Sequence, residues 1–496
     1  MIVQKRLTGT SLKVALITKA RQMPDRRSAE IKEIEEHKAR CMTEAADPRS
    51  LITENHILTA LTKDQGQDAR LISWNLEDFT KRGDNYASFV TSVKVHFSLS
   101  GSLREASYVA KANPRRRIKA LEPMMRSHFR REEMFYATLT TMLDEQLQRL
   151  GGGRLRWEPC ILTITYKTKI VTSFMSGKAG QPVPRVELRD QSVESDSRLG
   201  TAPAGGPQDS RLQDARPSQG PGHALLVVQE IARLHAASRL LQKALSPDPL
   251  AARYPPFSRR WMEEAPEREV FSALFAGHLE GAAILAEKEG GRYARVAPWL
   301  REVKGGIVDL LAGELARYSP EVAVLAHNDC WTNNVLFRYD ARGRPCSVAL
   351  LDFQMATMSS PAIDIVYFLY TSLDEKARKD HQQDLLSAYY GTFSEILRKG
   401  GAQVPFCLEE LHHECRRKIV FGCLMGLIIL PAALSEAEDC IADPDALTEA
   451  TMDDYTRQQR ESLMRLDSGS ATFRSRFLAI FEDLLETVVQ NASSNP

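Results

Sequence analysis

The chain has 496 residues, with 65 Lys and Arg against 64 Asp and Glu, a formal net charge of +1. That balance argues against a bulk nucleic-acid binder, which carries a basic footprint, and a hydrophobic fraction of 43% with 26% charged residues excludes wholesale disorder. The length suits about three domains, or one large two-lobed enzyme with a sizeable core.

Residues 1–50 are polar and read as an extension outside the main core, with a short helix where Glu30, Lys32, Glu33, Glu35, Glu36 and Lys38 cluster. The first 24 residues hold Lys5, Arg6, Lys13, Lys19 and Arg21 and no acid. This is a flexible basic leader or, on the rival reading, a mitochondrial presequence. Folded structure is expected from Leu51. Leu71 to Trp74 reads as a strand, and the alternation of Phe89, Thr91, Val93, Val95 and Phe97 as a second, half-buried one. Ser107 to Lys111 is a third, ended by Asn113-Pro114. Residues 118–148 then carry apolar groups at helical spacing. Three strands followed by a helix make an α+β lobe over 51–175, in which Ile161 to Phe174 supplies one or two further strands.

From 176 to 222 Pro, Gly, Ser, Asp, Arg and Gln dominate, and no aromatic stands between Phe174 and Tyr254. A structureless run of this length is expected to be an insertion or linker. The remainder, 223–496, is mainly helical. Helices are expected over 224–245, 266–288, 296–316, 373–399, 408–434 and 470–490. Within it Val335-Leu336-Phe337 and Val348 to Leu351 flank Asp340-Ala341-Arg342-Gly343, the pattern of a hairpin. The sixteen apolar residues from Ile419 to Leu434, interrupted by Pro431, fall short of the roughly 20 needed to span a membrane and read as a core helix. Eight cysteines form no C-x-x-C pair, and the chain shows no secretory signal. They read as reduced thiols in a cytoplasmic protein with no membrane or nucleic-acid partner.

The chemistry is concentrated in His327-Asn328-Asp329-Cys330-Trp331-Thr332-Asn333-Asn334, which runs into the hairpin, and in Leu351-Asp352-Phe353-Gln354, which leaves it. The spacing is H-x-D-x-x-x-x-N and then, after seventeen intervening residues, an Asp at a strand end. Phosphoryl transfer needs these groups. A loop carboxylate, Asp329, orients a substrate hydroxyl and accepts its proton. An amide oxygen five residues on, from Asn334, and a second carboxylate, Asp352, bind the Mg²⁺ that bridges the phosphates. An isolated H-x-D is common, and Asp329 alone could be a helix cap; the joint pattern is far rarer.

These motifs resemble the ecdysteroid-kinase-like or CHK-kinase-like proteins, related to choline kinases and aminoglycoside phosphotransferases. Leu234-His235-Ala236-Ala237-Ser238, the run Ser360 to Phe368, Lys81 to Tyr86 and Phe129 to Tyr136 carry the resemblance further, over about 51–175 and 223–490. It implies a two-lobed protein-kinase-like α+β fold, with a small sheet lobe and a larger helical lobe. It also implies ATP and Mg²⁺ as cofactors and a small-molecule alcohol, foremost an ecdysteroid or related steroid, as acceptor. By the same resemblance Lys111 holds the α/β phosphates and Glu132, rather than adjacent Glu133, pairs with it. Gly83, Asp84 and Asn85 form the loop whose backbone approaches the phosphates. Asp364 and His327 brace the catalytic loop, and His235 is a satisfied inter-helix histidine.

Two departures stand out. Asn328 occupies a position where the family usually has glycine. The stretch after Phe174, where the family has an apolar strand and an acidic hinge for adenine, is replaced here by 176–222. The alternative readings are a catalytically weak kinase-like binding protein, or a kinase for choline or another xenobiotic alcohol.

Overall fold

The computed structural model describes residues 48–77, 89–112, 121–151, 155, 161–164, 212–214, 221–258, 265–435 and 448–489. Met1–Leu51 and Ile52–Pro496 are separate compact units. Of the first, only the 3₁₀ turn Pro48–Leu51 is described, so the basic leader and the expected helix near Glu33 lie outside the described residues.

The second unit opens with helix α1 (Glu54–Gln65) and strands β1 (Arg70–Glu77), β2 (Phe89–Leu99) and β3 (Ser102–Ala112). The β2 alternation is that of the sequence: Thr91, Val93, Val95 and Phe97 are buried and the residues between them are not. They face Ala110, Tyr108, Ala106 and Arg104 across the antiparallel pairing with β3. The Tyr108 hydroxyl reaches back to Asp64 of α1 at 2.8 Å. Lys111 lies on the opposite face, with Ser107 and Val109, because strand side chains alternate. Helix α2 (Glu122–Met134) passes through a π turn, Phe135–Leu139, into α3 (Thr140–Gln148). Strand β4 (Ile161–Ile164) then pairs in parallel with β3, completing a four-stranded sheet of order β1-β2-β3-β4.

Strand β5 (Leu212–Asp214) falls within the stretch 176–222, where no regular structure was expected. It pairs antiparallel with the catalytic hairpin, Gln213 opposite Phe337. A three-residue edge strand borrows its ladder from the hairpin and needs no apolar run of its own, so composition gave no sign of it. The following helix α4 (Pro221–Leu245) also begins ahead of the expected boundary at 223. Residues 165–211 and 215–220 lie outside the described residues.

The large lobe continues through α5 (Ala265–Glu289), α6 (Val296–Val303), α7 (Ile307–Ala316), β6 (Val324–Ala326), β7 (Val335–Tyr339), β8 (Pro345–Leu350), β9 (Thr357–Ser359), α8 (Pro361–Ser372), α9 (Glu375–Lys399), α10 (Leu408–Arg417), α11 (Ile419–Ala433), α12 (Met452–Gly469) and α13 (Ala471–Leu484). The expected helices 296–316 and 408–434 are each broken in two, at Lys304–Gly306 and at Lys418. The helix α12 had no counterpart in the sequence reading. Helix α8 starts at Ser360, whose hydroxyl accepts from the N–H of Ala362, with Pro361 in the first turn. Helix α9 is capped by Asp374 and carries Glu375 first and Arg398 and Lys399 last, charges that complement its dipole. Among the described residues, Glu267–Glu289 of α5 has the length and hydropathy of a membrane span, and half of it is buried within the protein. The described cysteines, Cys330, Cys346, Cys407, Cys415 and Cys423, are free thiols.

Strand pairing brings the two motif loops side by side. β6 leads into the loop at 327–334 and β7 leaves it; β8 leads into the loop at 351–356 and β9 leaves it. β7 pairs with β8, and β6 with β9, antiparallel. Both loops are therefore bounded by the same two strand pairs.

Helix α11 is apolar all round and buried, as the sequence suggested. It lies so close to α8 that a Cβ on Gly422 would meet Val366 Cγ1 at 2.5 Å and Tyr370 Cδ2 at 2.7 Å. Gly to Ala normally stabilises a helix interior. Here Gly422→Ala is expected to destabilise by about 1–3 kcal/mol through overpacking, measured as a lower urea midpoint. An unchanged or higher midpoint would show that α8 and α11 can separate freely.

Candidate active site

The loop after β6 depends on one buried carboxylate. Asp364, fully buried near the start of α8, accepts the backbone N–H of His327 at 2.6 Å and of Asn328 at 2.7 Å. Its Oδ2 also accepts from His235 Nε2 of α4 at 3.0 Å, and His235 Nδ1 meets the Tyr389 hydroxyl of α9 at 2.7 Å. Burial works against the charge on Asp364, yet the hydrogen bond and charge of His235 and the His327 contacts hold it below the ordinary carboxylate range. A carboxylate accepting several N–H bonds stays ionised even when dry.

His327 ties the two loops together. Nε2 donates to the Leu351 carbonyl at 2.7 Å, which leaves Nδ1 to accept the Asp329 N–H at 3.3 Å. Burial lowers its pKa, in keeping with this neutral tautomer. Asn328 has φ +62°, the left-handed region that glycine enters without cost. Its amide nitrogen also donates to the Met355 carbonyl at 3.2 Å and to Thr357 Oγ1 at 2.7 Å. Asn thus adopts the backbone angle of glycine and adds two bonds to the neighbouring loop.

Asp329 presents a carboxylate held on both oxygens. Oδ1 accepts the Tyr367 hydroxyl at 2.7 Å, and Oδ2 accepts Asn334 Nδ2 at 3.0 Å. Asn334 Nδ2 also donates to the Asp329 carbonyl at 2.8 Å. With its nitrogen committed, the amide turns its oxygen away from Asp329. Burial, followed by the negative charge of Asp352, pushes the Asp329 carboxyl up to about 7, against the hydrogen bonds from Tyr367 and Asn334 and the charge of Lys111.

The second loop faces the sheet. Asp352 also has a left-handed backbone, φ +62°, a conformation that concentrates at functional sites. Its Oδ1 accepts Lys111 Nζ at 2.8 Å, and the same ammonium lies 2.8 Å from Glu132 Oε2 and 3.4 Å from Gln354 Oε1. Burial disfavours the charge on Lys111, but Asp352 and Glu132 outweigh it and raise its pKa. Burial pushes the Glu132 carboxyl up, and Lys111 opposes that shift. Glu133 is half-buried, near Arg130 and Lys63, and takes no part.

The structure thus brings Lys111, Glu132, Asp329, Asn334 and Asp352 together in one cluster. Gly83, Asp84 and Asn85 lie outside the described residues. Sequence reasoning gave no role to Tyr367, although it stands three residues after Asp364 on one helix face, a spacing that points it at the same loop. It also missed Arg131. This residue is buried beside Glu132 and donates Nη1 to the Gln354 carbonyl at 2.7 Å and Nε to the Pro256 carbonyl at 2.8 Å. Only the tertiary fold distinguishes it from its exposed neighbour Arg130.

The donor chemistry suits Mg²⁺. Asp352 is one-quarter exposed at its side chain, and the Asn334 amide offers an oxygen. Among the described residues no group of three or more His, Cys, Asp or Glu could hold a metal ion. Mg²⁺ is commonly held by one or two carboxylates together with waters and phosphate oxygens, and Asp352 supplies one such carboxylate.

A small sheet lobe, a larger helical lobe and a lysine–glutamate pair facing two acidic loops define a protein-kinase-like fold. The pattern of the ecdysteroid kinase-like family matches residues 82–179 and 216–402, more than half of the chain. The protein belongs to that family, whose character is that of kinase-like small-molecule phosphotransferases. The match breaks between 179 and 216, inside the stretch of unusual composition. No curated protein matches the chain.

The left-handed backbone at Asn328 can be tested by rank order. Asn328→Gly and Asn328→Ala lose the same two amide bonds, but only alanine is strained at this angle. The alanine variant should be less stable than the glycine variant by about 1 kcal/mol. Equal or reversed urea midpoints would remove the backbone angle as the constraint.

Proposed function

We propose that the protein transfers the γ-phosphoryl group of Mg²⁺·ATP to a hydroxyl of a small-molecule alcohol, foremost an ecdysteroid or related steroid. The observation that carries this reading is the convergence of Asp329, Asn334 and Asp352 with the Lys111–Glu132 pair. The family description supports the steroid class of acceptor.

In this reading Asp329 orients the acceptor hydroxyl and takes its proton, with both carboxylate oxygens already held in place. Lys111, fixed by Glu132, contributes the cation for the phosphates. Asp352 and Asn334 would hold Mg²⁺, which when bound neutralises charge on the phosphates. His327 and Asp364 keep the two loops in register and do not touch the acceptor.

A second reading, a kinase-like binding protein with little turnover, draws on the break in the family match at the place where an adenine hinge is expected. A nucleotide thermal-shift assay with and without Mg²⁺ separates the two, since the enzyme reading requires Mg²⁺-dependent stabilisation by ATP.

The direct test is ATP-dependent phosphorylation of a panel containing a polyhydroxylated steroid, choline and an aminoglycoside, followed by mass spectrometry. Asp329→Asn should stay folded and lose about 10²–10⁴ in turnover. Near-normal turnover in the folded variant would remove Asp329 from the mechanism. Asp352→Ala and Asn334→Ala should each shift the Mg²⁺ dependence of activity to higher concentration. If neither titration moves, these two residues are not the ligands.

A further inference from the structure

Helix α8 makes two separate contacts with the catalytic loop. Asp364 holds backbone, the N–H groups of His327 and Asn328. One turn further along, Tyr367 holds a side chain, its hydroxyl donating to Oδ1 of Asp329 at 2.7 Å. The phenol is 2% exposed, and its ring packs 6.3 Å from that of Phe421 on α11. Its position is set by the helix packing and not by the loop. α11 contributes Gly422 at its contact with Val366 and Tyr370, which lets α8 lie close.

The carboxylate torsion of an aspartate is broad and roughly two-fold, so one hydrogen bond leaves its plane poorly defined. Asn334 supplies one donor, to Oδ2, and it comes from within the same loop. Tyr367 supplies the second, to Oδ1, from a rigid helix outside the loop. Two donors on different oxygens fix the plane, and with it the direction of the lone pairs that remain.

We propose that Tyr367 is a positioning residue, whose hydroxyl sets the direction in which Asp329 presents its carboxylate to the acceptor. This rests on the reading of Asp329 as the base. Deleting the hydroxyl leaves the aromatic packing in place, so the loss falls on orientation. Misplacement of a reacting group by about 1 Å costs up to about 100-fold in rate.

The test is Tyr367→Phe in the full chain. Turnover of the acceptor should fall about 10- to 100-fold. KM for Mg²⁺·ATP and nucleotide binding should stay within about twofold of the wild type, because only an orientation used in the transfer step is lost. Turnover that is likewise unchanged overturns the proposal. So does a parallel loss of turnover, nucleotide affinity and melting temperature, which would mark a merely structural tyrosine. A second arm needs no activity. In nucleotide-free crystal structures of the two proteins, the Asp329 carboxylate should turn by more than about 30° once the hydroxyl is gone; an unmoved carboxylate overturns the proposal. If the wild type transfers no phosphate to any acceptor, the kinase reading fails, and the crystallographic comparison alone supports or overturns the role of Tyr367.

Discussion

The site depends on a negative charge placed where water cannot reach it. Asp364 is fully buried, and an ionised carboxylate in such surroundings costs several kcal/mol unless donors surround it. The donors are the backbone N–H groups of two consecutive loop residues and the ring of His235. The loop cannot move without stripping that charge of its partners. This restraint permits the left-handed angle at Asn328 and fixes the origin from which Asp329 projects.

Charge is also unbalanced around the two loops. Lys111 is in contact with Glu132 and Asp352, and Asp352 in turn raises the pKa of Asp329. One ammonium faces three carboxylates. Burial, and after it the negative charge of Asp352, raises the pKa of Asp329. Acidic crowding of this kind, with perturbed carboxyl groups, is a common mark of functional sites.

Much of this could be read from the residues. The alternation in β2, the Asp340 to Gly343 turn and the H-x-D-x-x-x-x-N spacing are local patterns, and local patterns determine local structure. The resemblance placed Lys111 and Glu132, and the geometry has them in contact. What escaped was carried by distance. β5 is three residues long and owes its conformation to β7, more than a hundred positions away. Arg131 looks like one more surface cation until α2 is folded against the Gln354 loop. The helical stretch 296–316 is divided at Lys304–Gly306, where Gly305 and Gly306 could have warned of a break. Tyr367 was legible in principle, since helix periodicity alone aims it with Asp364.

The packing of α2 has a mechanical consequence. Leu121, Met124, Met125 and Phe129 are buried against Val270 of α5 and Tyr455 of α12. Arg131 holds the carbonyls of Pro256 and Gln354, and Phe135 stacks on Phe353 with ring centroids 3.7 Å apart. By these contacts the helix is a fixture of the large lobe, although the chain enters it from the sheet. The bond from Lys111 to Glu132 is then not an internal strut of the small lobe. It is a rivet between two bodies, and the same ammonium that would steady phosphates also fastens the sheet to everything beneath it.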